Sequence, residues 1–203
     1  MYFKKLLLVI FLTFFFLFSP KQQPFNSIMA ANDPGAYVME ITKNAINVLT
    51  DASVDQNNKE VRFGELFDKN FDVPSISRFV LGKYWKQASL DQKKKFIKAF
   101  RNYIVKTYSS RFNEYSGEQL TLLNFENESN PKIFIVHTAL ERDDAPMIKV
   151  DWRIGKKKDR YVILDIIIEG ISLAVTQRSE FVSVIDQNDG SIDKLISLLK
   201  ERT

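Results

Sequence analysis

The sequence predicts an α+β fold, a curved antiparallel sheet of about four strands with helices packed on its concave side, enclosing an apolar cavity. Three observations predict it. Apolar residues recur at helical spacing up to about residue 114, change to period two between Leu120 and Ile168, and return to helical spacing at the end. The strand-like runs follow one another through short polar connections, which favours antiparallel pairing. There is no cysteine in the chain, so packing alone must hold it together.

Residues 1–31 read as a secretory leader. Lys4 and Lys5 precede Leu6 to Phe18, a thirteen-residue apolar run broken only by Thr13, which is the plan of a signal peptide. A membrane-spanning helix needs about 20 apolar residues. The run is shorter, and Ser19-Pro20-Lys21 ends it. An uncleaved anchor is the alternative reading. Small residues near Met29-Ala30-Ala31 mark the expected cleavage, leaving residues 32–203 as one domain.

The leader alters the charge. The chain carries 29 Lys and Arg against 25 Asp and Glu, a net +4. Lys4, Lys5 and Lys21 lie in the leader and no acid does, so the exported part is close to neutral. Nucleic-acid binders keep a strongly basic domain; this chain does not, and no nucleic-acid partner is expected. About 170 residues suffice for one sizeable core.

The elements follow in order. Asn32-Asp33-Pro34 is a helix start, a cap residue before an early proline. Val38, Ile41, Ala45, Val48 and Leu49 then recur at helical spacing, and Asp51 to Lys59 reads as a polar loop. Phe63, Leu66 and Phe67 mark a second, short helix. Asp72-Val73-Pro74-Ser75 punctuates before a third, carrying Ile76, Phe79, Val80 and Leu81, which Gly82 stops. Ser89-Leu90-Asp91-Gln92 is a capping box. It opens the longest helix, expected from Leu90 to Glu114, with Phe96, Ile97, Phe100, Tyr103, Ile104 and Tyr108 on one face. Lys94, Lys95, Lys98, Arg101, Asn102 and Lys106 take the other, so the helix is amphipathic.

Four strands are expected next: a weak one from Leu120 to Phe125, then Lys132 to Leu140, Met147 to Ile154 and Tyr161 to Ile168. Strict alternation puts Ile148, Val150, Trp152 and Ile154 on one face of the third. It likewise puts Val162, Leu164, Ile166 and Ile168 together in the fourth. Gly155 to Asp159 reads as the hairpin turn between them, and Asp143-Asp144 as another turn. Helices near Leu173 to Asp186 and Ser191 to Arg202 close the chain.

The motifs that carry chemistry are missing. There is no G-x-S-x-G, no phosphate-binding glycine loop and no H-E-x-x-H. Without cysteine there is no thiolate metal site, and no metal is expected. His137 is the only histidine and sits in an apolar strand, the setting of a satisfied core or sheet-edge residue. Asp165 and Glu169 share a strand side, so paired-carboxylate chemistry is conceivable; the plainer reading is that they face water. Catalytic residues: none.

Three stretches, taken together, resemble the MlaC (toluene-tolerance) family. They are Phe71 to Ser89 (FDVPSISRFVLGKYWKQAS), Phe96 to Phe112 (FIKAFRNYIVKTYSSRF) and Leu164 to Phe181 (LDIIIEGISLAVTQRSEF). The resemblance implies a soluble periplasmic carrier that shuttles phospholipid between an outer-membrane MlaA–porin complex and an inner-membrane Mla ABC transporter, maintaining outer-membrane lipid asymmetry. It implies no catalysis, and no cofactor apart from the phospholipid cargo. A monomer with transient docking to membrane complexes is expected. Carriage of another lipid such as a hopanoid, a periplasmic adaptor with a filled core, and a periplasmic enzyme using Asp165 or His137 stay open.

Magnitudes set what a carrier needs. Two acyl chains hold about 30 methylenes at roughly 0.8 kcal/mol each. An apolar interior must therefore offset on the order of 20 kcal/mol, in roughly 900 Å³. The expected sheet wall is Ile148, Val150, Trp152, Val162, Leu164, Ile166 and Ile168, and the expected helical wall is Val80, Tyr84, Phe100, Ile104 and Tyr108. Ile171 and Leu173 are expected at the mouth, with Arg78 and Arg178 at a headgroup rim.

Overall fold

The computed structural model describes residues 33–51, 53–109, 117–142 and 145–203. The expected leader, the Asp143-Asp144 turn and the stretch from Ser110 to Glu114 lie outside the described residues. Among the described residues there are seven helices and a five-stranded sheet, an α+β arrangement. No helix among them is long and apolar enough to cross a membrane.

Side-chain caps explain where most helices begin. Helix α1 spans Pro34–Thr50, and the Asp33 carboxylate accepts from the Gly35 and Ala36 amides at 2.8 and 3.2 Å. Helix α2 spans Gln56–Asn70 behind Asp55, whose carboxylate accepts from the Asn57 and Asn58 amides. Much of the loop expected at Asp51 to Lys59 is thus helix. Composition there is polar on all sides, and the cap rather than apolar spacing sets the start. Asp72 opens α3 (Val73–Val80), and Gly82 follows it at a φ of 57°, where a side chain is strained. A four-residue helix α4 (Tyr84–Gln87) precedes α5 (Leu90–Ser109). At the start of α5 the capping box forms reciprocally: the Gln92 amide donates to Ser89 Oγ at 3.1 Å, and the Ser89 amide to Gln92 Oε1 at 3.0 Å.

The strands are β1 (Gln119–Asn127), β2 (Ile133–Arg142), β3 (Ala145–Lys157), β4 (Arg160–Ile168) and β5 (Ile171–Ser172). They pair in chain order and antiparallel throughout. Two residues are too few to show a period, which is why β5 left no mark in the sequence pattern. The β3–β4 turn is shorter than expected. Lys157 pairs with Arg160, so only Lys158 and Asp159 turn, and Gly155 lies inside the strand opposite Val162. Helices α6 (Leu173–Asp186) and α7 (Ile192–Glu201) finish the chain, capped by Ser172 and Ser191.

Burial falls into two clusters. One is helical: Phe96, Leu81, Val80 and Ile185 are fully buried or nearly so, with Phe100, Phe181, Leu195 and Leu199 around them. The ring centres of Phe96, Phe100 and Phe181 lie 5.9 Å apart pairwise, with Phe181 edge-on to both, the geometry aromatic quadrupoles favour. The other lies on the sheet, where Val38 of α1 packs with Val136, Ile154, Tyr161 and Ile163. Phe71, at the α2–α3 junction, packs against both clusters and forms a parallel bridge to Ile163.

That junction is tied to the hairpin tip. Lys157 Nζ sits 2.5 Å from Asp72 Oδ2, and the Asp72 amide donates to the Ile163 carbonyl at 3.0 Å. Burial pushes the Asp72 carboxyl up, but the bonds and charge of Lys157 and the Ser75 cap outweigh it and hold the carboxyl below its usual range. A depressed carboxyl stabilises the fold above the unfolded pKa of about 4 and stops doing so as pH falls through the folded value. Asp72→Ala should therefore lower urea-unfolding stability by about 1–2 kcal/mol at pH 7. Its deficit against the wild type should shrink below about pH 4.

Candidate functional site

The sheet presents two chemically different faces, and the register assigns every side chain between them. Ile148, Val150, Trp152 and Ile154 of β3 share one face, as expected. Across β2 their partners are Leu140, Thr138, Val136 and Phe134. Across β4, Val150 and Trp152 meet Ile168 and Ile166. The pairing then slips by one residue: Arg153 faces Asp165, but Ile154 faces Ile163. Leu164 is the extra residue, a β-bulge, and beyond it the β4 side chains exchange faces.

The slip corrects the expected sheet wall. Ile166 and Ile168 do join Val150 and Trp152, whereas Val162 and Leu164 turn to the opposite face. Gly155 makes room for Leu164, since a Cβ there would lie 3.0 Å from Leu164 Cδ1. Ile163 and Tyr161 take the inner positions instead. Strict alternation cannot foresee a bulge, because the residues on both sides of it are apolar.

The inner face is unevenly covered. At one end Val38 seals Val136, Ile154 and Ile163, all fully buried. Tyr37 and Ile41 of α1 pack there too. The Tyr37 hydroxyl donates to Asn70 at 3.3 Å, and burial pushes its pKa to about 12, so it stays neutral. Toward the other end Ile148 and Val150 are buried, but Trp152, Ile166 and Ile168 are only half-buried. Leu173 is half-buried as well, and Ile171 is 42% exposed. Trp152 is held in place by its indole N–H, which donates to Thr138 Oγ1 at 3.1 Å; that hydroxyl in turn donates to the Val150 carbonyl at 2.6 Å. Helix α1 was visible in the sequence as a periodic helix, but nothing there signalled that it covers this end of the sheet.

The expected helical wall sits elsewhere. Val80, Tyr84 and Phe100 belong to the helical cluster, with Ile104 packed against it. Tyr84 also donates its hydroxyl to Asp186, which Lys83 bridges at 2.9 Å. Tyr108 is half-buried near the end of α5. The structure therefore brings Ile148, Val150, Trp152, Ile166 and Ile168 together on one face and gathers the helical residues in a second cluster. Arg78 is exposed, and Arg178 lies over the Phe79 ring, 5.2 Å from its centre, in space that Gly82 leaves open.

The outer face carries polar pairs beside apolar residues, among them buried Val162 and Ala139. His137 Nδ1 lies 2.8 Å from Asp151 Oδ1, its register partner, and Arg153 makes a two-pronged bond to Glu128 at 2.7 and 2.8 Å. Asp165 is structural. Its Oδ1 accepts the Ile166 and Ala174 amides at 2.9 Å each, and its Oδ2 accepts the Ser172 hydroxyl at 2.5 Å. Those bonds join the end of β4 to the start of α6. No group of three or more potential ligands that could hold a metal ion occurs among the described residues.

An α+β chain with one apolar sheet face capped at one end by a helix now has known counterparts. The family described as MlaC protein matches residues 39–201. This chain belongs to the MlaC family. A curated relative, the intermembrane phospholipid transport system binding protein MlaC of Haemophilus influenzae, is 28% identical over 126 residues, 60% of this chain. The match spans 58% of that relative's length. The phospholipid-binding protein from Ralstonia solanacearum, solved in complex with a phospholipid, superposes with a TM-score of 0.72. The match covers 84% of this chain and 96% of that one at 19% identity; the likeness is one of fold.

Assigning Asp165 to the joint makes a definite expectation. Asp165→Ala removes three accepted hydrogen bonds, and unfolding stability should fall by about 1–3 kcal/mol. Asp165→Asn keeps an acceptor for the amides and should recover part of the loss in the same urea titration.

Proposed function

We propose that this MlaC-family chain is a periplasmic phospholipid carrier, moving lipid between the outer-membrane MlaA–porin complex and the inner-membrane Mla ABC transporter. The observation that carries the reading is the uneven cover of the inner sheet face: sealed by α1 around Ile154, only partly buried at Trp152, Ile166 and Ile168, and ending at exposed Ile171. Apolar side chains left accessible on an interior face are what acyl chains need, since each methylene withdrawn from water is worth about 0.8 kcal/mol. The names of the Haemophilus protein, a binding protein of an intermembrane phospholipid transport system, and of the Ralstonia phospholipid-binding protein point the same way.

In this reading Ile148, Val150, Trp152, Ile166 and Ile168 line the tail site, and Ile171 and Leu173 stand at its mouth. Val80, Tyr84, Phe100, Ile104 and Tyr108 supply the facing wall once the two clusters part around Phe71. The phosphate stays at the solvent, near Arg78 and Arg178, because burying an unpaired charge costs far more than leaving it wet. The protein performs no chemistry on its cargo. Residues 1–31 act as the export leader, and the remainder folds as one domain.

Ile166→Glu and Val150→Lys, each purified folded as judged by circular dichroism, should lose co-purifying diacyl lipid in native mass spectrometry. Full lipid loading in both would refute the tail site. Wild-type protein that emerges bare from repeated gentle preparations would favour an adaptor role.

A further inference from the structure

A cleft of about 560 Å³ lies where the α2–α3 junction, α5 and the β3–β4 hairpin tip meet. It is smaller than the roughly 900 Å³ that two acyl chains require, and its walls are charged. Lys94, Lys98 and Arg101 line it from α5, and Lys157 and Arg160 from the hairpin. Two carboxylates share the wall, and both are engaged: Asp68 holds Arg101 through a two-pronged bond at 3.1 and 2.8 Å, and Asp72 holds Lys157. Arg160 donates one nitrogen to the Lys69 carbonyl at 2.9 Å. Among the described residues no carboxylate pairs with Lys94, Lys98 or Arg160. Lys94 and Lys98 stand one helical turn apart, where like charges repel. Between these cations lie Phe71, Ile97 and Pro74.

We propose that this cleft is a docking site for an acidic segment of a partner protein, seating one apolar side chain between Phe71 and Ile97 while its carboxylates meet Lys94, Lys98 and Arg160. Charge complementarity commits it to an acidic occupant, and the apolar patch among the cations commits it to more than a bare anion. The concave shape decides between a segment and a membrane. A flat anionic lipid surface would touch the exposed lysine tips but could not follow the cleft to Phe71 and Ile97. The three cations without a carboxylate partner, Lys94, Lys98 and Arg160, would steer such a segment in from solution, an effect that salt screens. The proposal rests on the carrier reading for its purpose, since a carrier must dock to unload; the chemistry of the cleft does not depend on the cargo.

The test uses the exported chain purified with its cargo. A hexapeptide of alternating glutamate and leucine is titrated into ¹⁵N-labelled protein, with the glutamine–leucine peptide as control. Amide shifts should centre on Phe71, Ile97 and Lys98, and affinity should fall as salt rises from about 0.05 to about 0.5 M. The Lys94→Glu, Lys98→Glu double variant should bind at least about tenfold more weakly, a change of about 1.4 kcal/mol, and retain its lipid. Lys94→Gln with Lys98→Gln should fall between, which separates lost charge from lost folding. Shifts centred elsewhere, or affinity unchanged in both variants, would overturn the proposal. So would wild-type binding to phosphatidylglycerol vesicles, lost in the double variant, without any peptide shifts. Loss of lipid from wild type and variants alike would strike the carrier reading and leave the cleft's peptide binding intact.

Discussion

The pairing of β3 with β4 is the constraint on which the rest depends. A strand's side chains alternate with period two, so a one-residue slip exchanges its faces. Here the slip at Leu164 divides β4 into two halves that serve different purposes. Before it, Tyr161 and Ile163 face inward and pack under Val38. After it, Ile166 and Ile168 face inward beside Trp152 and Val150. Without the bulge, one half of β4 would present its partners to the wrong side, and the inner face would not be continuous from the hairpin to β5.

A second consequence is a division of labour. In the proposed carrier reading, leaving room for a ligand forgoes packing contacts that would otherwise fill the interior. The helical cluster is placed to make up for this. Phe181 meets Phe96 and Phe100 edge to face, and the aliphatic members from α7, Leu195, Ile196 and Leu199, are almost completely buried. With no disulfide available, this cluster and the sealed end of the sheet hold the fold. The proposed ligand site is the partly buried end of the sheet, outside both. Phe71 touches both clusters and lies beside the Asp72–Lys157 pair, so this junction joins the two.

The groups that first resembled catalytic ones turn out to be joints. Asp165 spends its acceptors on the start of α6, and His137 pairs with the strand neighbour that the register places opposite it. Both fall within the sequence pattern of polar residues alternating with aliphatic ones. Pattern alone cannot separate a carboxylate that organises backbone from one that performs chemistry. The distinction lies in which donors reach it, and those come from elements seven and nine residues further on, Ser172 and Ala174.

What the sequence determined by itself was local: the caps at Asp33 and Ser89, the amphipathic α5, the period-two strands, and the α+β class that follows from their order. These depend on neighbours within a few residues, so spacing is enough to read them. The family motifs were legible for the same reason. Tertiary structure alone decided the rest. A bulge is a relation between two strands, which is why Val162 and Leu164 could not be separated from Ile166 in advance. The burial of Val80 and Phe100 among helices depends on how α5, α6 and α7 meet. The cleft joins Lys94 to Arg160, residues whose proximity no periodicity encodes. Periodicity reports which face of an element is apolar; what that face packs against is settled only when the chain closes on itself.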